Sequence, residues 1–111
     1  TIDSYQQRSY AYCSDTKYFK ALVKYVKDVD LLYHESTFHS RLASMAKSTF
    51  HSTSQDAATV ARQANVKKLI IGHFSSRYKE LDILKEDAKK VFKNVELALE
   101  GTTWVLDKIY N

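Results

Sequence analysis

The chain has 111 residues, the length of one ordinary domain. It carries 17 Lys and Arg against 13 Asp and Glu, a formal charge of +4, with 44% hydrophobic and 27% charged residues. That balance supports one packed core and excludes a disordered tail or a collagen-like repeat, while the modest positive charge favours a polyanionic partner only weakly.

Apolar runs such as Leu69–Ile71 fall far short of the roughly 20 residues a membrane-spanning helix needs, and the polar start from Thr1 to Ser9 does not read as a signal peptide. The single cysteine, Cys13, excludes an internal disulfide and a cysteine-based zinc cluster. Inside an apolar strand it reads as a small buried hydrophobe in a reducing compartment, so the expected location is cytoplasmic. The lack of proline and the start at Thr1 fit a portion of a longer protein as well as a natural chain.

In chain order, Tyr10 to Cys13 reads as a short aromatic strand, and Ser14-Asp15-Thr16 supplies N-cap chemistry for a helix over about 17–27. Phe19, Leu22, Val23 and Val26 form the apolar side of that helix, with Lys17, Lys20, Lys24 and Lys27 opposite. Leu31-Leu32-Tyr33 is a second strand, and a weakly patterned helix is expected around 41–47. Ser52 with Gln55 matches a capping box ahead of a helical face made by Ala57, Ala58, Val60, Ala61 and Ala64. Lys68 to Ile71 is a third strand of the kind buried on both faces of a parallel sheet, and 72–77 is a loop. Leu81, Leu84, Ala88 and Val91 mark a helix over about 80–92. Val95-Leu97-Leu99, the turn at Gly101-Thr102 and the return over Trp104 to Leu106 predict an antiparallel hairpin. Alternating strands and helices predict an α/β layer with right-handed crossovers.

Reactive side chains collect where such sheets bind ligands, beyond the carboxyl ends of strands. Asp15 follows the first strand, His34 and Glu35 the second and His73 the third, while His51 stands before the capped helix. Each has a plainer reading. Asp15 can simply cap a helix, His34 and Glu35 can be a strand-end pair, His51 and His73 can be satisfied histidines, His39 reads as solvated, and the lysines read as a solvated helix face. Their joint placement favours a site, because carboxylate oxygen and imidazole nitrogen are ligands for borderline metals. No H-x-H or H-E-x-x-H motif is present, so the residues look like half of a metal site.

Tyr12-Cys13-Ser14-Asp15-Thr16, His34-Glu35-Ser36-Thr37-Phe38, His51-Ser52-Thr53 and Gly72-His73-Phe74-Ser75-Ser76-Arg77-Tyr78 occur in this order. Together they resemble the C-terminal part of ribonuclease Z, a tRNA 3′-processing endoribonuclease of the metallo-β-lactamase superfamily, from about Arg8 to Leu106. The resemblance implies the C-terminal half of an αββα sandwich with a mixed sheet, helices and a C-terminal hairpin, occupying 1–111 as one half-domain. It implies two zinc ions in the intact parent, with Asp15 bridging them and His73 ligating one. His51 would protonate the departing 3′ oxygen, Glu35 would orient it, and Arg77, Ser75 and Ser76 would meet the substrate phosphate. His34 would stand behind the ligands. Phe50 takes the place of the family's usual glycine before His-Ser-Thr, and Ser36 that of the usual alanine.

The partners so implied are precursor tRNA, the missing N-terminal half of the same protein with its H-x-H-x-D-H motif, and a second copy in a homodimer. The chain alone is expected to be inactive, with zinc absent or partial. The alternatives are a non-catalytic half-domain that serves binding or assembly, and a portion of another hydrolase of the superfamily. The lysine stripe is a possible contact for the tRNA backbone.

Overall fold

The computed structural model describes residues 9–13 and 21–98. Four strands, β1 (Tyr10–Cys13), β2 (Leu31–Glu35), β3 (Lys68–Gly72) and β4 (Val95–Leu97), pair in sequence order, and all three pairings are parallel. Between them lie α1 (Leu22–Tyr25), a 3₁₀ turn (Ser40–Leu42) running into α2 (Ala43–Ser48), α3 (Ser54–Gln63) and α4 (Asp82–Lys89). The returning strand of the expected hairpin lies outside the described residues, while its first strand, β4, pairs parallel with β3.

The two-residue period of a strand sorts the side chains. Register aligns Ala11, Leu32, Leu69 and Val95 in one row and Cys13, His34, Ile71 and Leu97 in the next, all on the face that meets α3 and α4. Ala57, Ala58, Val60, Ala61 and Ala64 on α3 and Leu84 and Ala88 on α4 complete this core. Small alanines let α3 lie close to the sheet, and each fully buried Leu or Ile beneath it contributes about 1.5–3 kcal/mol. Tyr10, Leu31 and Lys68, then Tyr12, Tyr33, Ile70 and Glu96, occupy the opposite face.

The structure shifts several expected boundaries. Strand β2 runs two residues further than Leu31–Tyr33, so His34 and Glu35 lie inside the ladder and point to opposite faces. Helix α4 covers less than the expected 80–92. Of the helix expected over 17–27, the described part is α1, with Leu22 and Val26 buried and Lys24 and Lys27 exposed; Phe19, Lys17 and Lys20 lie outside the described residues.

The capping box forms one residue later than the Ser52–Gln55 spacing predicts. The Thr53 hydroxyl accepts from the Asp56 amide at 3.1 Å, and the Asp56 carboxylate accepts from the Thr53 amide at 2.9 Å. The expected partners are engaged elsewhere: the Ser52 amide donates to Glu35 and the Gln55 side chain to Asp87. His39 is likewise not solvated. Its Nδ1 accepts from the Arg41 amide at 3.1 Å, capping the 3₁₀ turn, and its Nε2 faces the buried Asp87 carboxylate at 3.5 Å.

Gly72 ends β3 against the Tyr33 ring, and a Cβ there would lie 2.8 Å from Tyr33 Cζ and closer still to its hydroxyl oxygen. That ring cannot swing aside cheaply, because it stacks on Tyr12 with centroids 4.5 Å apart and planes 6° from parallel. Gly72→Ala is therefore expected to cost about 1–3 kcal/mol through overpacking, read as a lower urea midpoint with an unchanged slope.

Candidate active site

Glu35 is completely buried at the end of β2, where its carboxylate meets four donors. Oε1 accepts from the Ser52 amide at 2.9 Å and from His51 Nδ1 at 3.2 Å. Oε2 accepts from the Thr37 amide at 3.1 Å and from the Thr37 hydroxyl at 2.5 Å. Such a pattern suits an ionised carboxylate, which only accepts, and it offsets the cost of burying one. It also fixes His51. With Nδ1–H donated to Glu35, the imidazole lone pair sits on Nε2 and the ring is held in one orientation.

His73 follows β3 with φ at 61°, a left-handed conformation that turns the chain sharply out of the sheet. Its Nδ1 lies 3.2 Å from the Thr37 hydroxyl. The Thr37 proton is committed to Glu35, so the hydroxyl accepts from His73 Nδ1–H, which leaves the ring's lone pair on Nε2. This relay, from imidazole through hydroxyl to carboxylate, is how ligating histidines are oriented from behind. The His51 and His73 ring centroids stand 5.6 Å apart. One potential ligand atom from each of Glu35, His51 and His73 falls within 4.8 Å of the others. Both Glu35 oxygens are already saturated with donors, so Glu35 suits an orienting role rather than a ligand role.

The expected phosphate-binding residues lie on the loop beyond His73. The Ser75 amide donates to the Thr37 carbonyl at 2.9 Å, which ties this loop to β2, and Ser76 is exposed. The Arg77 amide donates to Ser75 Oγ at 3.3 Å, and the Arg77 guanidinium lies 5.5 Å from the centre of the Phe38 ring. Phe38 makes an edge contact with His51 at 6.3 Å, so one ring separates the imidazole from the guanidinium. The structure thus brings Glu35, His51, His73, Ser75 and Arg77 to one region, whereas Asp15 lies outside the described residues. Thr37 and Phe38 were not singled out by sequence reasoning. A hydroxyl two residues after a buried carboxylate was the available signal for Thr37, and nothing local marked Phe38.

His34 points away from this cluster into the core. Its Nδ1 lies 2.8 Å from the Glu35 carbonyl, to which it donates, and its Nε2 has no hydrogen-bond partner among the described residues. Burial pushes its pKa below the usual 6.5, against the opposing pull of that hydrogen bond and of the Glu35 and Asp56 charges.

Comparisons with known proteins place this geometry. No family model matches the chain. It is 50% identical over 105 residues to ribonuclease Z of Cytophaga hutchinsonii, an alignment that takes in 94% of this chain and 34% of that protein. It is 54% identical over 86 residues to ribonuclease Z of Porphyromonas gingivalis strain W83, across 78% of this chain and 28% of that one. The chain belongs to the ribonuclease Z family. It spans about a third of the length of the curated relatives it matches. Among solved structures, the metallo-β-lactamase fold protein YhfI from Bacillus subtilis superposes with a TM-score of 0.78 at 27% identity, covering 85% of this chain and 38% of that one. The short form of human tRNase Z superposes with a TM-score of 0.58 at 34% identity, covering 76% and 27%. The α/β fold expected from the sequence is therefore that of the metallo-β-lactamase group.

Two outcomes follow for this ribonuclease Z relative. Phe50, directly before His51, has φ at 60° and is 64% exposed. A bulky residue in the left-handed region is strained, so Phe50→Gly is expected to raise stability by about 1 kcal/mol in thermal or urea unfolding. His34 makes the protein acid-sensitive. The unfolded chain takes up a proton near pH 6.5. The folded chain resists it, so stability is full above that pH and falls as the pH drops through it. Urea midpoints at pH 7.5 and pH 5 are expected to differ less for His34→Leu than for the wild type.

Proposed function

We propose that this chain is the C-terminal part of a zinc-dependent endoribonuclease that removes the 3′ trailer from precursor tRNA. On this reading residues 1–111 form a single half-domain that is inactive alone. The observation that carries the proposal is the His51–Glu35 pair, whose imidazole is oriented by a buried carboxylate and faces His73 across 5.6 Å. The relatives that match most of the chain are named ribonuclease Z, which supports RNA as the substrate class.

His73 and Asp15 are the residues of this chain that would hold zinc. The oriented Nε2 of His73 fits the role, and zinc when bound would polarise a water for attack on the phosphodiester. His51 carries a proton on Nε2 when charged and delivers it to the departing 3′ oxygen, the step that turns a poor leaving group into an alcohol. Glu35 stabilises that imidazolium and fixes its direction. Arg77 grips the phosphate through paired hydrogen bonds, with Ser75 and Ser76 as further donors.

The sheet supports the half-domain reading. Parallel sheets are covered on both faces, yet on the face away from α3 and α4, where Leu31 and Ile70 are buried, Tyr10 and Tyr12 of β1 stand 67% and 70% exposed. The missing N-terminal half would dock there, bringing the remaining ligands. The proposal includes a cytoplasmic location and a homodimeric parent.

In a full-length enzyme carrying this chain, His51→Ala is expected to lower precursor tRNA cleavage by about 10²–10⁴-fold with zinc content unchanged, whereas His73→Ala lowers zinc content itself. Loss of zinc in the His51 variant would overturn the division of roles. Cleavage by the 111-residue chain alone with added zinc would overturn its predicted inactivity.

A further inference from the structure

A cavity of about 300 Å³ is lined by His39, Arg41, Leu42, Arg77, Tyr78 and Ile83, and Arg77 connects it through the Phe38 ring to His51. One wall is the 3₁₀ turn and the other is the segment from Arg77 into the first turn of α4. The walls are built, not incidental. Asp87, fully buried on α4, accepts from the Ser40 amide at 2.9 Å, the Ser40 hydroxyl at 2.8 Å and the Gln55 side chain at 3.0 Å. The His39 amide donates to the Tyr78 hydroxyl at 2.8 Å, which bridges the two walls directly.

The lining is mainly apolar, with Leu42, the Tyr78 ring and Ile83 inside. Ile83 is 47% exposed, an unusual place for a large aliphatic side chain on an otherwise polar helix surface. Arg41 and Arg77 supply two positive charges. An apolar slot flanked by guanidinium groups matches a nucleotide, whose base has flat apolar faces and whose neighbours in the strand are phosphates. The volume lies at the small end of ligand pockets and suits a single base. Its position also fits, because Arg77 belongs both to the cavity and to the Phe38 ring that touches His51.

We infer that this cavity is a base-binding subsite that takes one unpaired nucleobase of the RNA next to the scissile phosphodiester. Leu42, Tyr78 and Ile83 hold the base, while Arg41 and Arg77 hold the phosphates on either side of it. The inference rests on the nuclease reading above and adds a specificity element to it: an unpaired nucleotide is required at one defined position.

The test pairs a protein change with an RNA change in a full-length enzyme carrying this chain. Precursor tRNAs with a single abasic nucleotide at successive positions around the cleavage point are cleaved by the wild type, by Ile83→Ala and by Ile83→Leu. At one position, loss of the base is expected to raise KM about five- to tenfold in the wild type and in Ile83→Leu, with kcat little changed. The same loss has no further effect in Ile83→Ala, whose KM is already raised. Equal abasic penalties in all three proteins at every position would overturn the subsite. Binding of a five-nucleotide RNA to the His51→Ala enzyme, followed by fluorescence anisotropy, separates the two readings. Weakened binding in the Ile83→Ala, His51→Ala double variant upholds the subsite even if cleavage itself fails. Competition by a polyglutamate peptide that is equally sensitive to Ile83→Ala would overturn it in favour of an acidic protein ligand.

Discussion

The carboxylate of Glu35 is the point on which the site depends. It is buried at the end of β2 and receives donors from Thr37, His51 and Ser52, so the strand end and the segment entering α3 are joined by one group. Removing the carboxylate would leave several buried donors unpaired, each costing about 1–3 kcal/mol. The same contacts give His51 its tautomer and, through the Thr37 hydroxyl, give His73 its own. Stability and chemistry therefore draw on the same hydrogen bonds.

A second buried carboxylate, Asp87, performs the corresponding task on the other side of the 3₁₀ turn. It connects the turn to α3 through Gln55 and to His39, whose Nδ1 caps the turn in a neutral tautomer with Nε2 directed at the carboxylate. Between these two anchors the segment from Glu35 to Ser40 is held at both ends, and Phe38 sits between them against His51 and Arg77. Tightly held side chains on strand ends and short turns are what a site needs when reacting groups must keep fixed directions.

Left-handed backbone conformations mark the places where the chain must turn sharply. His73 adopts one directly after β3 and Phe50 directly before His51, so both imidazoles emerge next to a strained residue or on one. At Phe50 the strain is borne by the structure that positions His51. At Gly72 the reason for a small residue is different: the stacked Tyr33 ring fills the space where a side chain would go.

The sequence by itself determined the strand and helix order, because apolar runs at Leu31–Leu32 and Leu69–Ile71 and the alanine face of α3 carry their periods in plain view. It also marked the candidate residues that the fold gathers, since His-Glu, His-Ser-Thr and Gly-His-Phe-Ser-Ser-Arg fall at strand ends and a helix entry, and their order carries the family resemblance. Tertiary structure decided the pairings. Ser52 and Gln55 have capping-box spacing, yet the deeper carboxylates of Glu35 and Asp87 take their donors, and the box forms at Thr53 and Asp56 instead. His39 looked solvated because its partner lies 48 positions away on α4. Which nitrogen of His51 and His73 carries a proton, and which ring separates Arg77 from His51, were likewise set only when distant segments met. Local patterns report which face of an element is buried, but a hydrogen bond between distant segments depends on which donor reaches a buried acceptor first, and only the packed chain determines that.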